Sequence, residues 1–541
     1  MTGLARAADA PAGKNEQTAG RRGWAALRRT AQLGCAALSA LLLNLACPPY
    51  DLAWLAWPAL VPLFLALLRF GAPEEPGTRG ARAARMPFAL GFTWGFVFLL
   101  LHVPWFAGFS PAGYPVAAAY WGVLGGLVCL AAVTIQRAAP LRWTPMVFAS
   151  AWVLFEWLRA QGTLAFPWGT LSVTQYRALP LLQMLDLTGS YGLSFLMALT
   201  AAGAACAALY PGNAPVRKLR VVGAGWAGVA LLLVAGGVVR GNSILAQPTN
   251  TEGSARVAVI QASHSVKSSG VEVVTVSPPG EYAARTREAI RAGADLVVWP
   301  ESASQEDGVN DPYVRQHLAG LVAGTETHLL AGSFIEDLPS GMLTNAAAMF
   351  APTGEVTGQY AKVLIVPFGE YLPLRPLLSW TERLGMPPND LRAGTGWNPV
   401  PWSGGAVGIS ICFESAFGYV SREMVNRGAN LLAVLTSDGW AGRSAAGLQH
   451  AAFAPLRAVE TRRSVARAAA TGVSQLLDPH GRPLESIPMF TKGFAVAELP
   501  LRTDLTLYAR LGDWPVLLAA ACLALLAISA RRQSARGAVR H

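Results

Sequence analysis

Long apolar runs crowd residues 31–240 of this 541-residue chain, one more lies at 514–530, and a mixed, more polar stretch separates them. A run of about 20 apolar residues is long enough to cross a bilayer's hydrocarbon core as a helix. Backbone polar groups in lipid must be satisfied within the segment, which leaves α-helices as the reading for such runs. The pattern predicts helices near 31–48, 52–70, 87–109, 115–136, 143–160, 189–210, 221–239 and 514–530. Pro58, Pro62 and Pro104 fall inside this set, tolerable where neighbouring helices satisfy the freed carbonyls. Only 14% of residues are charged, against about 25% in soluble domains. An ordinary cytosolic enzyme and a disordered chain are both excluded.

The net charge of +11 does not point to nucleic acid, because the basic residues flank the apolar runs. Arg21, Arg22, Arg28 and Arg29 precede the first, and Arg531, Arg532, Arg536 and Arg540 follow the last. Arg79, Arg82 and Arg85 lie between the second and third, and Arg217, Lys218 and Arg220 between the sixth and seventh. Basic loops mark the cytoplasmic side, so the expected division is a basic cytoplasmic tail (1–30), seven spans (31–240), an external domain (241–512), a returning span (513–530) and a second cytoplasmic tail (531–541). The first run reads as an uncleaved helix ending at the Pro48-Pro49 turn, because Asn44 breaks any processing pattern. Near the end of the fifth run, Glu156 and Arg159 stand three residues apart and read as an ion pair on one helix face.

Cys35, Cys47, Cys129, Cys206 and Cys522 lie in apolar runs, and Cys412 stands alone in the polar stretch. No disulfide within that stretch and no zinc motif follow from this spacing. Short apolar segments there read as strands: Ala255–Ile260, Asp295–Trp299, His328–Gly332, Asn345–Phe350, Ala406–Ile411 and Asn430–Leu435. Helix-period stretches at 281–293 and 311–324 alternate with them, which indicates an α/β domain.

Three residues sit at or just beyond these strands: Glu301, Lys362 and Cys412. Reactive groups of α/β sheets gather at strand ends. A carboxylate can take a thiol's proton, and a cation stabilises both the thiolate and the oxyanion formed on a carbonyl. Each residue also has a plainer reading: Cys412 as core filler, Glu301 as a helix cap, Lys362 as a solvated surface charge. The apolar loop from Leu372 to Met386, with Leu377, Leu378 and Trp380, reads either as a lid dipping into lipid or as packing against the domain.

The segments Trp299-Pro300-Glu301-Ser302, Lys362 with Pro367-Phe368-Gly369-Glu370-Tyr371, and Ile411-Cys412-Phe413-Glu414 resemble the Glu–Lys–Cys signature of the nitrilase superfamily. With the apolar runs, Glu156-Trp157-Leu158-Arg159, Phe166-Pro167-Trp168, Ser437-Asp438-Gly439-Trp440 and Gln449-His450, the chain resembles its membrane-embedded branch, the apolipoprotein N-acyltransferases. The resemblance implies an α-β-β-α sandwich outside a bacterial inner membrane. It implies Glu301 as base, Lys362 as cationic stabiliser and Cys412 as nucleophile, supported by Glu370 and Glu414. Tyr371, Phe413 and Trp440 join the loop residues as substrate-binding candidates. The implied partners are a phospholipid acyl donor, a diacylglyceryl-apolipoprotein acceptor and the bilayer, with no cofactor, metal or nucleic acid. Two positions depart from the pattern: Phe413 stands where a tyrosine is common, and no tryptophan occurs in Gln261–Gly270.

A membrane-tethered amidase that uses water, and a transporter with an external binding domain, are the competing classes. Neither explains both the chemistry-bearing triad and the excess of helices over one anchor. From the loop charges, reporter fusions at Gly253 and at the C-terminus are expected on opposite sides of the membrane; equal sidedness overturns the topology.

Overall fold

The computed structural model describes residues 13–538 apart from 71–80, 112, 210–213, 250, 263, 269–270, 276–278 and 381–388. Seven helices form the N-terminal bundle: α1 (Gly13–Ala46), α2 (Val61–Phe70), α3 (Ala81–His102), α4 (Gly113–Ala138), α5 (Thr144–Leu158), α6 (Leu185–Ala207) and α7 (Ala214–Leu245). A further helix, Trp514–Ala538, packs on α4, α5 and α6. Four of these, α3, α4, α6 and α7, are long and apolar enough to cross a membrane. At 10 and 15 residues, α2 and α5 are shorter than the usual span. The expected second span is broken: Ala53–Ala56 forms a 3-10 turn before α2 begins, because Pro58 and Pro62 remove two backbone donors.

Close approach holds the bundle together. A Cβ on Gly91 of α3 would overlap the carbonyl of Gly125 on α4, and the reverse holds as well, so only glycine fits this crossing. Trp94 fills the adjacent core edge-on to Trp152, with ring centroids 4.7 Å apart. The expected Glu156–Arg159 pair does not form. The Glu156 carboxylate instead accepts from Trp152 Nε1 at 2.9 Å and Leu171 N at 2.8 Å. Helix α5 ends at Leu158, and Arg159 donates to the Trp168 carbonyl at 3.0 Å with its guanidinium 4.3 Å from the Trp121 ring centroid. Each side chain takes these other partners although the backbone at Arg159 is still helical.

The polar stretch builds two six-stranded sheets. The first has the order β14-β1-β4-β5-β6-β7, with β1 (Gly253–Ala262), β4 (Leu296–Val298), β5 (His328–Asp337), β6 (Met342–Phe350), β7 (Val356–Ala361) and β14 (Lys492–Leu501). The second has the order β13-β12-β11-β10-β9-β8, with β8 (Val400–Trp402), β9 (Gly405–Ile411), β10 (Leu431–Thr436), β11 (Ser464–Ala469), β12 (Ser474–Leu477) and β13 (Pro483–Ile487). A separate hairpin pairs β2 (His264–Ser268) with β3 (Val271–Thr275). Each sheet has three central parallel strands, β1-β4-β5 and β9-β10-β11, flanked by antiparallel ones. Strands buried on both faces read as continuous apolar runs, and Leu431–Thr436 is buried throughout.

The sheets face each other, and helices cover the outer sides. Pro279–Arg291 (α8) and Pro312–Val322 (α9) lie over the first sheet around Tyr282, Leu318 and Trp299. Gly418–Asn426 (α10), Ala446–Ala451 (α11) and Phe453–Thr461 (α12) lie over the second. The result is the expected α-β-β-α sandwich. Strands β2, β3, β7, β8 and β11–β14 lie outside the sequence expectation. Their mixed content, such as buried Arg467 in β11, hides the apolar pattern.

Charged contacts dock the sandwich on the bundle. Asp186, at the start of α6, takes both nitrogens of Arg240 on α7 at 3.0 and 2.7 Å and Arg462 after α12 at 2.8 Å. Gln183 Nε2 donates to the His480 carbonyl at 3.0 Å, and Ser190 N to Glu460 at 3.0 Å. Replacing Asp186 by alanine leaves the buried Arg462 without its carboxylate. Removing one partner of a buried pair costs about 3 kcal/mol or more. Asp186→Ala is therefore expected to lower the melting temperature of the detergent-solubilised chain, and an unchanged melt contradicts this docking role.

Candidate active site

Three strand ends meet where the two sheets face each other. Strand β4 ends at Val298, and Trp299-Pro300 carries Glu301 beyond it. A side chain at Gly332 in β5 would collide with the Pro300 carbonyl, so glycine is required for the two segments to lie this close. Lys362 follows β7, its amide donating to the Asn345 carbonyl at 2.8 Å and so extending the β6–β7 pairing by one bond. Cys412 follows β9 with φ of 51°, the first residue of a 3-10 turn over Cys412–Ala416. A left-handed conformation costs a non-glycine residue about 1 kcal/mol or more and persists only where its surroundings impose it.

Glu414 supplies much of that constraint. Its Oε2 accepts from Ile411 N at 2.8 Å, and its Oε1 from Val363 N at 2.8 Å and Leu364 N at 3.1 Å. The Tyr360 hydroxyl lies 2.9 Å from both oxygens. One fully buried carboxylate thus ties the turn carrying Cys412 to the loop carrying Lys362. Burial raises the Glu414 pKa, opposed by the backbone donors and Lys362.

Lys362 is 1% exposed and lies between two acids, 2.8 Å from Glu370 Oε1 and 3.6 Å from Glu301 Oε1. Burial pushes its pKa down, but Glu370 and Glu301 more than offset this, so the ammonium is held above its ordinary range. Asn345 Nδ2 bridges the same carboxylates, 2.7 Å from Glu301 and 2.9 Å from Glu370. Ser437 N fixes the other Glu301 oxygen at 3.0 Å, and Val366 N the other Glu370 oxygen at 2.7 Å. The Cys412 thiol is pushed up by burial and by Glu301, while Lys362 lowers it. A carboxylate and an ammonium thus act on the sulfur in opposite directions.

The bundle contributes an aromatic wall. Phe166 and Trp168, between α5 and α6, stack at 4.7 Å, and Phe413 lies 5.9 Å from Trp168 at 14°. Trp440 lies 5.1 Å from Trp105, beyond the end of α3. Apolar surface therefore runs from the helices to the residue beside the thiol.

The predicted set is thus brought together only in part. Glu301, Lys362, Cys412, Glu370 and Glu414 form one cluster, and Phe413 and Trp440 border it. Tyr371 is half-buried beside the short Pro367–Tyr371 bridge. Leu377 and Trp380 are 71% and 61% exposed, and Leu378 is half-buried. Residues 381–386 of the expected lid lie outside the described residues, as do 263 and 269–270 of the segment without tryptophan. Sequence reasoning missed Asn345. Its signal was a polar residue inside an otherwise apolar strand, which demands a buried partner.

A model of the apolipoprotein N-acyltransferase N-terminal domain matches residues 39–203, and one of the carbon–nitrogen hydrolases matches residues 256–504. The chain is 33% identical to the apolipoprotein N-acyltransferase of Geobacter metallireducens over 529 residues, covering 92% of this chain and 95% of that one. It belongs to the apolipoprotein N-acyltransferase family. It is also 31% identical to the Gloeobacter violaceus apolipoprotein N-acyltransferase, covering 91% and 92% of the two chains. Among solved structures, Saccharomyces cerevisiae Nit3, of the nitrilase superfamily, aligns at 19% identity and TM-score 0.36 over 46% of this chain and 91% of that one.

In this family member the Glu414 clamp makes a direct prediction. Glu414→Gln keeps the shape but sets an NH2 group against backbone N–H donors. An unsatisfied buried donor costs about 1–3 kcal/mol, so the variant is expected to melt earlier and to label faster at Cys412 as the turn loosens. Wild-type melting and labelling count against the clamp.

Proposed function

We propose that this chain moves a fatty acyl group from a phospholipid to the N-terminal amine of a diacylglyceryl-cysteine lipoprotein, through a thioester on Cys412. The observation that carries this reading is a buried thiol facing Glu301 and Lys362, with an aromatic wall leading to it from the membrane helices. An enzyme for small water-borne amides needs no such wall.

Glu301 takes the thiol proton as the sulfur attacks the ester carbonyl of the donor. Lys362, held by Glu370, stabilises the tetrahedral oxyanion. Collapse expels the lysophospholipid alkoxide, which receives the proton from Glu301 and leaves the acyl group on sulfur. The acceptor amine then attacks the thioester, Glu301 takes its proton, and the departing thiolate is reprotonated. Covalent catalysis splits one difficult transfer into two easier ones. Asn345 and the backbone donors on Glu301 keep the base aimed throughout.

Eight crossings, from the helices near 31–240 and 513–530, set residues 241–512 on the periplasmic side of an inner membrane with both basic tails in the cytoplasm. On that face, exposed Leu377 and Trp380 reach lipid, and Tyr371, Leu378, Phe413 and Trp440 line the approach for the acyl chain.

Given phospholipid without acceptor, the purified chain is expected to accumulate an acyl adduct on Cys412, detected by mass spectrometry and released by neutral hydroxylamine. Cys412→Ala removes adduct and turnover together. A wild-type chain that transfers acyl groups with no adduct on Cys412 rules out the thioester route.

A further inference from the structure

His450 belongs to the Gln449-His450 pair that the triad leaves unexplained, and its ring is buried against the back of the Cys412 turn. Nδ1 lies 2.8 Å from Asp438 Oδ1. Nε2 lies 3.0 Å from the Cys412 carbonyl and 2.8 Å from Ser415 Oγ, which itself donates to that carbonyl at 2.9 Å. Asp438 also accepts from Thr436 Oγ1 at 2.9 Å and Arg467 at 2.6 Å.

Hydrogen-bond accounting decides the state of the ring. An ionised carboxylate only accepts, so Nδ1 carries a proton. The Cys412 carbonyl also only accepts. A bare Nε2 would set two lone pairs against each other at 3.0 Å and draw the Ser415 proton away from the carbonyl. With Nε2 protonated, both ring nitrogens, the Ser415 hydroxyl and the Cys412 carbonyl are matched, while Arg467 Nε and Nη1 stay without a partner. Charge points the same way: the acids Glu301, Glu370 and Glu414 outnumber Lys362 in front of the turn, while Asp438 and Arg467 behind it leave room for a cationic His450. The two groups join through Ser437, whose amide holds Glu301.

We propose that His450 is a positioning residue for acyl transfer, an imidazolium that grips the Cys412 carbonyl, holds the left-handed turn and adds positive charge behind the thiolate. The groups facing it are Asp438 after β10, Arg467 of β11 acting through Asp438, the Cys412 turn, and the Trp168 ring 5.7 Å away. Its neighbour Gln449 accepts from Trp105 Nε1 at 3.0 Å and donates to the His102 carbonyl at 2.8 Å. The helix carrying the imidazolium is thereby fastened to the outer end of α3. The role rests on reading Cys412 as the nucleophile.

The test uses the full chain in detergent, labelled with 15N-histidine. At pH 7.5 one imidazole is expected with both nitrogens protonated, and His450→Gln removes that signal. If this variant fails to fold, the signal is assigned in the unmutated chain by its shift when Cys412 is alkylated. A spectrum of neutral imidazoles alone overturns the proposal. In a folded His450→Gln chain, iodoacetamide labelling of Cys412, read by mass spectrometry, is expected to be about tenfold slower near pH 7. The wild-type rate should return at high pH, because loss of a nearby cation raises a thiol pKa by about one unit. A rate that falls equally at every pH, or not at all, reduces His450 to packing and overturns the proposal. Neither readout needs phospholipid or lipoprotein. Acyl transfer by the unmutated chain is scored separately, so failure of the functional reading is distinguished from failure of this one.

Discussion

The site depends on one buried carboxylate. Glu414 accepts from the backbone on both sides of the cleft, at Ile411 in the second sheet and at Val363 and Leu364 in the loop that follows β7 of the first. Two sheets packed through apolar faces have no intrinsic register to better than a side chain's width, yet thiol chemistry requires positions held to about 0.5 Å. Directional hydrogen bonds to a single rigid group supply that precision. The apolar core between the sheets makes the bonds strong by excluding water, and the bonds in turn fix how that core is assembled.

Around this clamp the electrostatics are divided. Glu301 and Glu370 keep Lys362 charged despite complete burial. On the other side of the turn, burial acts to raise the Asp438 carboxyl, but Arg467 and His450 more than compensate and hold it below its usual range. Cys412 lies between Glu301 and Lys362 on one side and its own hydrogen-bonded carbonyl on the other. Burial and Glu301 push its thiol up, while Lys362 pulls it down.

The membrane helices do more than tether the sandwich. Asp186, Gln183 and Ser190 hold its underside through Arg462, His480 and Glu460. Phe166, Trp168 and Trp105 reach into the site itself, and Gln449 binds back to the end of α3. A single anchor helix offers no surface of this kind. The extra helices are part of the site's wall.

Composition and run length by themselves determined a helical membrane region joined to an α/β domain, because lipid and a buried parallel sheet each demand an unmistakable apolar pattern. Strand-end placement and the motifs around Glu301, Lys362, Glu370, Cys412 and Glu414 marked the cluster before any coordinates. Tertiary structure alone decided the rest. Asn345 and His450 touch residues 44 and 38 positions away in sequence, and no local pattern encodes such pairs. The Glu156–Arg159 spacing suited an ion pair, but Trp152 and Leu171 took the carboxylate and Arg159 lies over Trp121 instead. Leu377 and Trp380, read from sequence as a lid or as packing against the domain, lie exposed. Short-range chemistry is written along the chain, whereas which distant groups share a buried charge is settled only when the sheets close on each other.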